Sequence, residues 1–192
     1  PLLCIEMPIH QNRTQADRGR RHIAWLKEKF ENVNSVELEL TPIFDGFINQ
    51  LPVNEQQNEL ALVNTRARLR MTTLYYFAQT NNSLVVGTGN KVEDFGIGFF
   101  TKYGDGGVDI SPIADLMKTE VFTLGKELGV NNEILIAEPT DGLWGDDKTD
   151  EDQIGASYPE LEWAMTFNGE DDSLTAREKQ VLKIYLKLNK NN

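Results

Sequence analysis

The chain has 192 residues, a mass of 21.7 kDa and a net charge of -11, with 30 acidic residues against 19 basic ones. That length holds one domain, and 40% apolar with 26% charged residues is the composition of a globular chain rather than a disordered one. The excess of acids argues against wrapping nucleic acid, no apolar run approaches the ~18 residues of a membrane-spanning helix, and one cysteine, Cys4, with two histidines, His10 and His22, excludes an internal disulfide framework and leaves little for a histidine metal site or a serine-type triad.

Residues 2–7 read as a buried strand stopped by Pro8. A helix is expected from Gln15 to Phe30, with Ile23, Ala24, Leu26 and Phe30 on its apolar side. Val36, Leu38 and Leu40 alternate with Glu37 and Glu39, which is a strand pattern. Phe44 to Leu51 is a short amphipathic turn or helix before Pro52. The clearest helix runs over 56–80, where Leu60, Val63, Ala67, Met71, Leu74 and Ala78 recur in steps of three and four. Residues 83–87 read as a third strand. Strand, helix, strand, helices, strand favours a parallel α/β sheet with right-handed crossovers.

Beyond that strand the texture changes. Seven of the fifteen glycines fall between Gly87 and Gly107. A helix from Leu116 to Leu128 is closed by Gly129, an acidic stretch over 141–172 carries eleven acids and one base, and Thr175-Ala-Arg-Glu178 is a capping box opening a last helix through Leu188. With no signal peptide legible at Pro1-Leu-Leu-Cys-Ile5, the expected compartment is the cytoplasm. The chain opens without Met on an apolar run that reads as a strand already under way, so it is expected to be a fragment or a mature protein that has lost its start.

Ligands of open α/β sheets bind at the carboxyl ends of strands. Val85-Val86-Gly87-Thr88-Gly89 is such an end, with glycines that let backbone N–H groups approach a phosphate and a hydroxyl donor in Thr88. Phe99 to Asp109 mixes aromatics, Lys102, two aspartates and three glycines, as a loop against a polar aromatic ligand would. Glu93 beside triphosphate oxygens would suit Mg2+, and Lys118 would neutralise phosphate charge. Asn64 and Arg68, four apart on the long helix, share a side and could grip an anion, whereas Arg66 and Arg70 are expected to face water. Each has a plainer reading: a common turn, a glycine-rich surface loop, an exposed glutamate, a surface lysine, a solvated helix face.

Taken together, Asn64-Thr-Arg-Ala-Arg68-Leu-Arg-Met71, Val85-Val-Gly-Thr88, Gly98-Phe-Phe-Thr-Lys102-Tyr-Gly-Asp-Gly-Gly-Val-Asp109, Pro112, Lys118-Thr, Pro139-Thr140 and Asp150-Glu151 resemble NAD+ synthetase. The resemblance implies a Rossmann-like adenine nucleotide α-hydrolase fold, a parallel sheet flanked by helices. It implies a single synthetase domain over 1–192 that lacks its first strand and phosphate loop. It implies a homodimer, of the ammonia-dependent type or as the synthetase domain of a glutamine-dependent one. The implied reaction is amidation of deamido-NAD+ by ammonia, with ATP as co-substrate and Mg2+ as cofactor. Carried over by position, Gln15, Thr88, Lys118 and Thr140 are ATP contacts, Glu93 is a Mg2+ ligand, Asn64, Arg68, Lys102 and Asp109 contact deamido-NAD+, and Lys102 and Lys118 assist the chemistry. The spacing from Glu93 to Lys102 is one residue longer than in the bacterial ammonia-dependent form. The alternative reading is a catalytically inactive nucleotide-binding dimeric subunit or fragment.

Overall fold

Two short strands start the fold. β1 (Leu2–Glu6) and β2 (Val33–Glu37) pair in parallel, Leu2 opposite Val33 and Glu6 opposite Glu37. The structure is a computed structural model that describes residues 1–52, 58–140, 149–169 and 173–190. Parallel neighbours need a crossover, and α1 (Arg13–Lys29) supplies it, its start capped by the Asn12 side chain accepting from the Thr14 N–H at 2.9 Å.

The alternation at Val36, Leu38 and Leu40 marks the right segment, but the ladder begins earlier, at Val33. Past Glu37 the backbone still leans on the first strand: Leu38 N–H donates to Glu6 O at 2.8 Å and Leu40 N–H to Pro8 O at 2.9 Å. Leu40 is buried and delivers the chain into α2 (Thr41–Ile48), where Pro42 fits the first turn. Ile9, Leu40 and the α2 residue Phe44 form one apolar cluster, closed by Leu62 and Leu69 of α3 (Glu59–Asn81). The predicted stripe of α3 turns Val63, Ala67 and Ala78 inward, while Leu60 lies exposed.

Residues 83–87 do not form the expected third strand. A strand exists only against a neighbour, and the extended run finds one only at 109–110. Val86 bridges Ile110 in parallel, Val85 O accepts from Asp109 N–H at 3.0 Å, and Gly87 N–H donates to Ile110 O at 2.7 Å. The Val85 N–H is taken by the Asp109 side chain at 2.8 Å instead of by a ladder.

A π-helix (Lys91–Ile97) follows, ended by Gly98 at φ +64°. Then come α4 (Lys118–Glu127), α5 (Asn132–Leu135), α6 (Asp150–Ile154), α7 (Tyr158–Thr166) and α8 (Ala176–Asn189). Gly129 turns left-handed after α4, and Thr175 and Glu178 cap α8 reciprocally at 2.7 and 3.3 Å, as the sequence predicts. The π-helix, α7 and α8 share the second core, which includes Val92, Ile97, Tyr158, Leu161, Val181 and Tyr185. Of the acidic stretch, Asp141, Asp146, Asp147, Glu170, Asp171 and Asp172 lie outside the described residues. Among the described residues no helix is long and apolar enough to cross a membrane.

Candidate functional site

A cavity of about 590 Å³ opens between α3, the turn at 86–88 and the loop 98–108. Asn64, Arg70, Thr88, Thr101 and Asp105 supply polar groups to a wall otherwise made by residues such as Met71 and Val63. The glycine-rich loop is sewn to α3 at three levels. Thr101 Oγ1 donates to Asn64 Oδ1 at 2.8 Å, Arg68 Nε donates to Lys102 O at 3.2 Å, and Tyr75 Oη donates to Asp109 Oδ1 at 3.0 Å. Gly104 permits the closest approach, since a Cβ there would stand 2.9 Å from Ala67 Cβ and 2.8 Å from Thr101 Cγ2. Within the loop, Thr101 N–H donates to Asp105 Oδ1 at 3.0 Å.

Asn64, Arg68, Lys102 and Asp109 are therefore brought onto one helix–loop seam. Arg68 and Lys102 are exposed, the Lys102 ammonium lying 5.2 Å from the Tyr103 ring centroid. Tyr103 holds φ at +59°, an uncommon region for an aromatic residue. Asp109, itself exposed, accepts from two donors, Tyr75 Oη and Val85 N–H, and so fixes the turn that leads to Thr88.

Arg70 corrects the expectation of a water-facing side chain. It lines the cavity, with Nε donating to Met7 O at 3.0 Å and Nη2 to Gln11 Oε1 at 3.2 Å. Burial, then the nearby charge of Arg66, lowers its pKa. Its position on α3 faces the end of β1, a packing choice that α3 alone does not reveal. Guanidinium has no acceptor, so Gln11 must present its carbonyl to Arg70 and its NH2 to Gln15 Oε1, 2.5 Å away. Gln15, half-buried on α1, is thereby tied to the cavity wall.

A second centre lies beside the π-helix. Asn90, only 1% exposed, caps it by accepting from the Val92 and Glu93 N–H groups at 3.0 and 3.2 Å. Glu93 Oε1 accepts from Lys118 Nζ at 2.7 Å and from Tyr158 Oη at 2.6 Å. The side chains of Lys118 and Glu93 are 19% and 14% exposed. Lys118 is the first residue of α4, and Glu162 of α7 anchors that end by accepting from Thr119 N–H at 2.9 Å and Thr119 Oγ1 at 2.7 Å. Lys118, Thr119, Pro139, Thr149 and Tyr158 line a cavity of about 220 Å³. Thr140 is exposed one residue beyond Pro139, whose carbonyl accepts from Asp150 N–H at 2.9 Å. Thr88 and Lys118 thus border two different cavities rather than one.

Next to Glu93, Asp94 presses its carboxylate over Gly89, where a Cβ would meet Asp94 Oδ2 at 2.0 Å. Burial first, then the charges of Glu93 and Asp105, raises the Asp94 pKa. Among the described residues no three His, Cys, Asp or Glu side chains converge as a metal cage. One carboxylate nevertheless suits Mg2+, which keeps several waters and takes one or two carboxylates together with substrate phosphate oxygens.

Sequence reasoning gave no role to Tyr158 or Asn90, quoted Asp150 only within a motif, and turned Arg70 toward water. Tyr158 is 65 positions from Glu93 in the chain, and no local pattern links them. Asn90 had a usable signal, an Asx cap directly before Val92 and Glu93.

A parallel pair with a helical crossover, flanking helices and a glycine-rich cavity wall define a Rossmann-like α/β protein. The NAD synthase model matches residues 2–189, and the chain belongs to that family. It is 44% identical over 126 residues to the NH(3)-dependent NAD(+) synthetase of Thermoplasma acidophilum, covering 66% of this chain and 50% of that protein. The chain thus spans about half the length of that relative. A solved NMN synthetase from Francisella tularensis is similar over 100% of this chain and 74% of its own, with a TM-score of 0.83 and 31% identity. An NH3-dependent NAD synthetase from Campylobacter jejuni is similar over 99% and 72%, with a TM-score of 0.72 and 26% identity.

Proposed function

We propose that this chain carries out ATP-dependent amidation of deamido-NAD+ to NAD+ with ammonia, as a Mg2+-using cytoplasmic homodimer. The observation that carries the reading is the Lys118–Glu93 pair, an ammonium and a carboxylate bonded to each other at 2.7 Å beside a small cavity that Lys118 lines. The nicotinate carboxylate is a poor electrophile. Its oxygen attacks the α-phosphorus of ATP, the bond to the β-phosphate side breaks, and pyrophosphate leaves. Ammonia then adds to the acyl carbon of the adenylate, the carbon–oxygen bond breaks, AMP departs and a proton is lost to give the amide. No side-chain nucleophile is needed, which agrees with a chain of one cysteine and two histidines.

Lys118 leaves Glu93 to offset charge developing on the transferred phosphorus. Glu93, released, would hold Mg2+, which when bound neutralises phosphate oxygens and orients the leaving group. Arg68, Lys102 and Asn64 hold and orient the dinucleotide along the α3 seam, with Asp109 at its end. Gln15, Thr88 and Thr140 contact ATP. The test is product analysis: the full-length protein with ATP, Mg2+, ammonium and deamido-NAD+ should release NAD+, AMP and pyrophosphate in equal amounts. Nucleotide binding without any product would favour an inactive subunit.

The Francisella similarity supports a second reading in which the acid amidated is the mononucleotide. Offering the dinucleotide and nicotinate mononucleotide in parallel assays decides between them by the ratio of kcat/KM values.

A further inference from the structure

Tyr158 stands where the π-helix, α4, α6 and α7 meet, and none of the roles above uses it. Its ring, 3% exposed, is part of the second core. Its hydroxyl leaves that core and reaches two carboxylates, Glu93 Oε1 at 2.6 Å and Asp150 Oδ2 at 3.3 Å. Lys118 Nζ meets the same Glu93 oxygen at 2.7 Å and lies 4.7 Å from the Tyr158 ring centroid. Asp150 is itself buried, and its backbone is anchored to Pro139 O.

A phenol has one hydrogen to give. With two acceptors in reach it serves one at a time, and 2.6 against 3.3 Å says that Glu93 is served in this arrangement. The phenol presents its hydrogen to these carboxylate oxygens, which can only accept. The Glu93 oxygen that accepts it is also the one that Lys118 grips. If Lys118 and Glu93 turn to nucleotide, that oxygen must be vacated, and a buried hydroxyl left without an acceptor would be costly. Asp150 Oδ2 supplies the alternative.

We infer that Tyr158 is a positioning residue: its hydroxyl fixes the Glu93 carboxylate against Lys118 before nucleotide engages, then re-aims to Asp150 as the pair comes apart. The inference rests on the proposed amidation for its catalytic consequence, but not for its geometry. Re-aiming is a rotation of the hydroxyl hydrogen, so no covalent bond forms or breaks.

Tyr158→Phe keeps the ring in the core and over Lys118 and removes only the hydroxyl. Two readouts follow. Brief labelling of the purified protein with an N-hydroxysuccinimide ester, read peptide by peptide by mass spectrometry, should modify Lys118 about threefold faster than in the parent, with exposed Lys102 unchanged as the internal control. In the amidation assay kcat should fall about tenfold while KM for ATP stays within about twofold. A thermal midpoint within a few degrees of the parent shows that the fold persists. Asp150→Asn provides a second variant: its carbonyl accepts the hydroxyl more weakly, so Lys118 labelling should stay at the parent rate and kcat should fall by about two- to threefold. Parent-like labelling of Lys118 in a folded Tyr158→Phe protein, or parent-like kcat in Asp150→Asn, overturns the inference. A parent protein that makes no amide product overturns the proposed function instead, and the labelling comparison still reads the positioning role.

Discussion

Gly104 shows how tightly single atoms set the seam between α3 and the glycine-rich loop. A methyl group there meets both Ala67 and Thr101 at under 3 Å, and neither the helix nor the Thr101–Asn64 hydrogen bond can yield without moving the loop. Gly104→Ala should therefore cost about 1–3 kcal/mol, the range for overpacking a tight contact. It should also raise KM for the dinucleotide more than for ATP, because it displaces Lys102 from Arg68; steady-state kinetics with each substrate varied in turn checks this. Glu93→Gln removes one charge and almost no volume. Turnover should be lost while circular dichroism stays unchanged, and activity equal to the parent at limiting Mg2+ would remove Glu93 from the metal site.

At the scale of elements, the second centre depends on how α7 is held. Glu160 closes the capping box at the start of α7, accepting from Ser157 N–H at 2.9 Å, and reaches across to Arg177 of α8 with both oxygens at 2.7 Å. The side-chain bond from Arg177 comes first among the causes that bring the Glu160 pKa down to about 2 from 4.5. A lowered carboxylate pKa means that the unfolded chain takes up its proton first as acid is added. The stabilisation is complete above about pH 4.5 and is lost as pH falls toward 2. Glu160→Gln should flatten the acid limb of the stability curve in urea titrations at stepped pH by lowering neutral stability toward the parent's acid value, a small change because the pair is largely solvated. The same helix carries Leu161, fully buried in the second core, and Leu161→Ala should cost about 2–5 kcal/mol by the same titration.

The helices were legible because their signals are local. Thr175 and Gly129 each mark an end by chemistry within three residues of it, whereas the caps at Asn12 and Asn58 were passed over and those helices were begun two and three residues off. The third strand was not, because β-structure depends on a neighbour, and the 83–87 run meets only a two-residue partner and the Asp109 side chain. Thr88, Lys102 and Lys118 could be singled out because each follows an apolar run, lies in a glycine loop or sits at a helix start. Tyr158 and Arg70 could not, because each owes its role to a segment more than sixty residues away.

At the scale of the whole molecule, large apolar side chains remain outside. Tyr76 is 66% exposed, and Leu60, Leu84, Val86 and Ile110 are also exposed on α3 and the turn beside it. A helix apolar on more than one side is usually covered by a partner. Sedimentation velocity should show a dimer at micromolar concentration, and Tyr76→Glu combined with Leu84→Glu should shift it toward monomer; a parent protein that sediments only as monomer overturns the homodimer.

The π-helix at Lys91–Ile97 has one more lesson in it. Its i→i+5 bonds make a wider turn than those of an α-helix. Such a turn loosens the carbonyl ladder, and here Asn189, near the far end of α8, donates its amide to Gly96 O at 2.8 Å. The last helix thus acts as a splint on the wide turn. Deleting exposed Phe95 should let the turn relax to ordinary α pitch and make the splint redundant. Asn189→Ala should then lower the thermal midpoint of the parent by several degrees and that of the shortened chain hardly at all, a non-additivity that a double-mutant cycle would measure directly.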